Sequence, residues 1–330
     1  RAEYLERWAA LIGAPVPTLT TAETVTQALH SLIGALPDAR LRGRRVLVAA
    51  DCFPSLHFLL AGMAERRGFT LDTVPLRPGA AWVDEEEMIA RWGADVAVAL
   101  LTFVTSTASF RCDLPALVAH GRRMGSLSVV DLTQGVGILP VDIGGIGADA
   151  HVSTSLKWLC GAPGAGILQV SPELTAECAP ELRGWFSQPD PFSWDLDGFA
   201  YAPDARRFDH GTPSVVAAVG TLPALRWHGT RAPGTLLAHT RALQDMVIAE
   251  AAQAGLVVAC PLDPARRGGS VMLRLPAGVE PRAVVGALRE RRVHVDSRGR
   301  VMRVSPGIQT TAGDVERLFA ELRPLLRAAA

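Results

Sequence analysis

The feature that most constrains this chain is a series of short, largely apolar runs separated by stretches long enough for helices. Arg45–Ala50 (RVLVAA), Ala94–Leu101, Leu127–Val130, Ala150–Ser153 and Ile167–Val170 each read as a strand with no solvated face. Strands apolar on both faces are covered on both faces, as in parallel sheets whose crossovers are helices. Helical stretches at Leu56–Arg67, Asp84–Trp92 and Leu114–Met124 lie between the runs and another at Gln27–Leu36 ahead of them, with a further strand at Thr70–Val74. The expectation is an α/β chain built on a large, doubly wound, mainly parallel sheet. After Val170 the pattern gives way to a long polar, aromatic and glycine-rich segment. Helices at Val215–Trp227 and Arg231–Ala254 follow it. Strands at Leu256–Cys260, Ser270–Leu275, His294–Asp296 and Val301–Ser305 then mix with helices at Pro281–Arg292 and Thr311–Ala328. This division predicts a large domain over residues 13–228 and a smaller α+β domain over 229–330, with an N-terminal helix in residues 1–12.

Charge narrows the chemistry. The 33 basic and 33 acidic side chains cancel, which gives no electrostatic reason to expect nucleic acid or an anionic membrane as a partner. No apolar run approaches the ~20 residues that span a bilayer. The five cysteines are scattered and form no CxxC pair, so they read as reduced thiols of a cytoplasmic protein without a metal site. Lys157 is the single lysine among the 33 basic residues. Arginine keeps its proton, whereas a lysine amine can lose it and attack a carbonyl. A surface lysine in an arginine-rich composition would look the same in isolation. Its surroundings favour a chemical role. Asp131 ends a buried strand, where α/β sheets bind ligands, and Gly161–Gly166 makes a tight turn just beyond Lys157.

These residues carry a resemblance. Asp131-x-x-Gln134-x-x-Gly137, Gly147-Ala148-Asp149, Ser155-x-Lys157 and Gly161-x-x-Gly164-x-Gly166 resemble the cofactor segment of class V aminotransferase-fold enzymes. That family contains kynureninases, cysteine desulfurases and related lyases. The resemblance implies pyridoxal phosphate (PLP) fold type I, with pyridoxal 5'-phosphate attached to Lys157, Asp131 on its ring nitrogen and Ser155 and Gln134 as further contacts. It also implies a phosphate loop at Thr24 and Thr26, although a hydroxyl cluster before a helix is equally an ordinary N-cap. The turn Phe53-Pro54-Ser55 resembles the Phe-Pro-Thr-Asp turn of kynureninases and makes Phe53 a candidate for stacking on the cofactor ring; a core phenylalanine is the plain alternative. Gly184-Trp185-Phe186 and Gly211-Thr212 resemble segments that reach the neighbouring subunit's cofactor. They imply a homodimer with a shared active site, and a role in it for Trp185 and Thr212. Arg303, in Met302-Arg303-Val304-Ser305-Pro306 of the strand Val301–Ser305, is by resemblance the anchor for the carboxylate of a small amino-acid substrate, with a structural ion pair as the alternative.

Three positions and one segment depart from the kynureninase pattern. Gln134 stands for a histidine, as in desulfurases, and Thr105–Ser109 (TSTAS) lacks the expected aromatic and basic residues. Leu56 stands for an acid and Leu156 for a tyrosine, which predicts a more apolar pocket and a substrate other than kynurenine. The resemblance implies a lyase or hydrolase acting at Cβ of an amino acid. Transamination, a C–S lyase or desulfurase reaction, and a non-catalytic protein on the same fold remain alternatives. For a desulfurase nucleophile the nearest candidate is Cys260.

Overall fold

In the computed structural model, which describes residues 1–328, the apolar runs become the middle of a seven-stranded sheet. Its strands are β1 (Leu19–Ala22), β2 (Arg45–Ala49), β3 (Thr70–Val74), β4 (Val96–Thr102), β5 (Leu127–Asp131), β6 (Ala150–Thr154) and β7 (Gly166–Val170). They lie in the order β1-β7-β6-β5-β4-β2-β3. The neighbours β3, β2, β4, β5 and β6 pair in parallel, and β7 runs antiparallel to both β6 and β1. The first helices are α1 (Ala2–Ile12), α2 (Val25–Ala35), α3 (Asp38–Leu41), α4 (Pro54–Arg67), α5 (Glu85–Arg91) and α6 (Leu114–Met124). After them come α7 (Ile143–Ile146), α8 (Pro172–Glu177) and α9 (Val215–Gly229).

Helices cover both faces of the sheet. Val98, Leu100, Val129, Ala150 and Val152 form one buried cluster with Leu29 and Leu32 of α2 and Leu56 and Leu60 of α4. Ser128, which points the other way along β5, lies against Gly121 of α6, where a β-carbon would stand 2.9 Å from its Oγ. This is the doubly wound α/β arrangement, with a mainly parallel sheet, that the apolar runs imply.

Two compact units divide the chain: residues 1–78, 83–103 and 112–231 make one, and residues 79–82, 104–111 and 232 onward make the other. The first contains α1, whose Tyr4 hydroxyl donates to the Gly166 carbonyl at 3.0 Å. The second holds α10 (Thr235–Gln253), β8 (Val257–Val258), β9 (Val271–Arg274), α11 (Pro281–Glu290), β10 (Asp296–Arg298), β11 (Val301–Val304) and α12 (Ala312–Ala328). Its four strands pair antiparallel in the order β10-β11-β9-β8.

Some elements differ from the sequence reading. Residues 19–22, just ahead of the hydroxyls of Thr24 and Thr26, form strand β1, because β7 offers them an antiparallel edge. The strand expected over Leu256–Cys260 shrinks to two paired residues, and the one expected at His294–Asp296 moves to Asp296–Arg298. Both shifts follow from hairpin register, which apolar content does not encode. Among the described residues no helix is long and apolar enough to cross a membrane.

Candidate active site

The site grows from the carboxyl ends of β4, β5 and β6. Thr102 pairs with Asp131 across β4 and β5, and Asp131 with Val152 across β5 and β6. Side chains alternate along a strand, so Thr102, Asp131 and Thr154 leave the sheet on the face that α2 and α4 cover. Asp131 is buried, and its Oδ1 accepts the Thr133 amide at 2.9 Å. Burial pushes its carboxyl above the ordinary range, and the hydrogen bonds from Thr133 oppose that rise. The turn between β2 and α4 lies close by. The Cys52 thiol in that turn is pushed up to about 12, first by burial and then by the charges of Asp51 and Asp131. Phe53, next in the chain, takes the N-cap position of α4 with 43% of its surface exposed.

Beyond β6 the chain makes the loop that carries Lys157. The Ser155 hydroxyl donates to the carbonyls of Ala165 (2.6 Å) and Ala162 (3.1 Å), and the Gly161 amide returns to the Ser155 carbonyl at 2.8 Å. A β-carbon at Gly161 would collide with Ser155 and with Thr221 of α9, so the turn needs glycine there. Downstream, the Trp158 indole donates to Gln134 Oε1 at 3.2 Å. Gly137, at φ +107°, lets the post-β5 turn approach the Trp158–Leu159 backbone to a distance at which a β-carbon would stand 2.7 Å from it. Lys157, exposed, sits between these two anchors.

The amino end of α2 adjoins this loop, because Ala22 of β1 pairs with Gly166 at its end. Thr24 is the N-cap, with its hydroxyl accepting the Gln27 amide at 3.0 Å. The plain N-cap reading of Thr24 is therefore correct, and its hydroxyl proton stays available to an anion. Thr26 lies in the first turn, half-buried. A cleft at this helix end is lined by Glu23, Gln27, Gly164–Gly166 and residues 208–214, which include Thr212. Trp185 packs edge-on against Phe186 and Phe192, with ring centroids 4.6 and 6.0 Å away. Its segment is bound to the Thr212 segment, since a β-carbon at Gly184 would fall 1.9 Å from the His210 carbonyl oxygen.

In the second unit Arg303 faces Asp296. Its Nε donates to Oδ1 at 2.8 Å and its Nη2 to Oδ2 at 2.5 Å. The guanidinium predicted to meet a substrate thus has an internal carboxylate as its partner.

Three sequence readings change. Leu56 is 0% exposed and part of the core under the sheet, three residues into a helix that turns it inward, so it does not make a pocket more apolar. Leu156, unlike Leu56, is exposed beside Lys157. The Ser155 hydroxyl is spent on the loop. The hydroxyls of Thr154 and Thr102, by contrast, are buried without a hydrogen-bond partner among the described residues. Thr154 is legible from its parity with Asp131 but falls one place outside the Ser155-x-Lys157 spacing. Cys260 is buried, and burial raises its thiol, which disqualifies it as a nucleophile. Among the described residues no three His, Cys, Asp or Glu side chains gather as a metal site.

These groups fit pyridoxal 5'-phosphate. A buried carboxyl raised by burial suits a protonated ring nitrogen, unspent buried hydroxyls suit polar substituents, and a helix N-terminus suits a phosphate.

Comparison with known proteins supports the same family. A kynureninase of Deinococcus radiodurans is 34% identical over 81% of this chain, which spans 64% of that protein's length. The isopenicillin N epimerase of Streptomyces clavuligerus is 27% identical over 97% of this chain and 83% of its own. Among solved structures, the cysteine desulfurase CsdA from Escherichia coli superposes with a TM-score of 0.89 at 20% identity, covering 100% of this chain and 85% of that one. The cystine C–S lyase C-DES, solved in complex with its product cysteine persulfide, gives 0.88 at 20% identity, covering 98% and 85%. At that identity the structures establish the fold, PLP fold type I. Residues 3–318 match the model of the class V aminotransferases, and the chain belongs to that family.

Proposed function

We propose that this protein is a PLP-dependent enzyme that cleaves at Cβ of a small amino acid, in the manner of kynureninases. The observation that carries the reading is the single lysine, exposed on a loop pinned by Ser155 and Trp158, next to strand ends that hold the buried Asp131. Pyridoxal 5'-phosphate, when bound, supplies an electron sink for a carbanion at Cα. In this reading Asp131 keeps a proton on the ring nitrogen, and Phe53 covers one ring face. Gln134 and Thr154 offer polar contacts, and Thr24 and Thr26 at the amino end of α2 take the phosphate. The Lys157 Nζ moves the α-proton, a role that needs an amine able to exist without its own proton. Arg303 takes the substrate carboxylate.

Leu156 leaves the position beside Lys157 without a phenolic proton donor, which favours leaving groups that need little protonation. Purified protein is assayed with kynurenine, 3-hydroxykynurenine and a cysteine-derived sulfoxide, following anthranilate-type products and pyruvate. The sulfur substrate is expected to turn over at least ~10²-fold faster, the scale of one lost general acid. Efficient release of anthranilate would instead make the protein an ordinary kynureninase. Formation of a keto acid with retention of the side chain would make it an aminotransferase.

The same reading includes a homodimer with Trp185 and Thr212 at the neighbour's cofactor. Trp194 and Leu196, 78% and 94% exposed in the segment between them, are large apolar side chains of the kind an interface covers. Light scattering is expected to give twice the chain mass; a monomer that binds cofactor tightly would contradict this part.

A further inference from the structure

Asp296 and Arg303 are direct partners in the antiparallel pairing of β10 with β11, so their side chains leave the same face of the small sheet. The carboxylate grips the Nε–Nη2 edge of the guanidinium with two hydrogen bonds, at 2.8 and 2.5 Å. The third nitrogen, Nη1, has a 3.4 Å contact with the Ser106 carbonyl, long for a hydrogen bond. Asp296 also lies 3.3 Å from the Arg298 guanidinium. Only 11% of the Arg303 side chain is exposed, against 43% of Asp296.

A two-bond fork fixes the plane of a guanidinium as well as its position. With one edge held by Asp296, the edge formed by Nη1 and Nη2 is the one that remains for a second carboxylate. The charges allow it, because Arg298, Asp296 and Arg303 together carry one net positive charge. Without Asp296, Arg303 would regain its side-chain freedom and meet an anion in many orientations.

We propose that Asp296 is a positioning residue that presents the Nη1–Nη2 edge of Arg303 to the carboxylate of the amino-acid substrate. This rests on the reading of Arg303 as the substrate anchor. The cofactor-loaded protein is titrated with L-alanine and with L-alaninamide, which lacks the carboxylate, following the change in cofactor absorbance. Wild type is expected to prefer alanine by about 10–100-fold. Asp296→Ala is expected to reduce that preference to a few-fold by weakening alanine alone, and Asp296→Asn, which keeps one acceptor, to fall between. On a turned-over substrate, KM rises with little change in kcat. Two results overturn the positioning role: an unchanged preference in Asp296→Ala while Arg303→Ala has lost it, or an equal loss for alanine and alaninamide, which marks structural damage. A preference retained in Arg303→Ala overturns the anchor reading itself, and the positioning role with it.

Discussion

Replacing Lys157 with arginine is expected to leave a folded protein that holds no covalent cofactor and turns over at least ~10³-fold more slowly. Moving the α-proton accounts for ~10²–10⁴-fold by itself. Arginine preserves the charge but offers no amine that can release its proton at neutral pH. The side chain is exposed, so the exchange is expected to change stability by less than about 0.5 kcal/mol. That separates loss of chemistry from loss of fold. In wild type, borohydride reduction followed by peptide mapping is expected to find a pyridoxyl group on the peptide containing Lys157, which no other lysine can mimic. A protein that retains the cofactor through this treatment with Lys157 unmodified would remove the basis of the proposed function.

The second large effect belongs to Asp131, and its sign depends on the cofactor. In the protein without cofactor, burial raises the Asp131 carboxyl above its value in the unfolded chain. As pH rises through the interval between those two values, the unfolded chain gives up the proton first, so stability falls. An asparagine side chain at this position has no proton to lose in that interval. Asp131→Asn without cofactor is therefore expected to match wild type at low pH and to exceed it at neutral pH. With cofactor bound the order is expected to reverse, because in the proposed role the carboxylate would pair with a protonated ring nitrogen. Breaking a buried pair costs about 3–5 kcal/mol, or roughly 10²- to 4 × 10³-fold in cofactor affinity. Urea midpoints across pH, with and without pyridoxal 5'-phosphate, test both halves. A variant less stable than wild type in both states would show that Asp131 serves the fold rather than the cofactor.

What can be read from the sequence divides along a physical line. The strands β2, β4, β5, β6 and β7 declare themselves because their middles are buried on both faces and are therefore largely apolar. The helix after Phe53 is equally plain. The direction of Leu56 within it is not, because a motif comparison assigns a role to a position, whereas helical phase decides where the side chain goes. Thr154 escapes notice for the opposite reason: strand parity places it beside Asp131, but the motif begins one residue later. The partner of Arg303 is out of reach. It depends on the register of a hairpin closed by Gly299, at φ +56°, and Arg300, and a shift of one residue would have turned Asp296 to the other face.

The place of β1 has a consequence for how the chain reaches this state. Leu19 finds its partner, Gln169, roughly 150 residues later, so the amino end of α2 has no fixed position until β7 has been made. Closing so long a loop is slow relative to the local pairings of the parallel strands. A nascent chain ending before Gly166 would present β6 as an open sheet edge, the kind of surface that recruits other strands. The amino end of α2, the proposed phosphate site, is therefore among the last parts of the sheet domain to be assembled. With the phosphate bound there, cofactor capture is expected to come late in folding and to close the sequence of events rather than seed it.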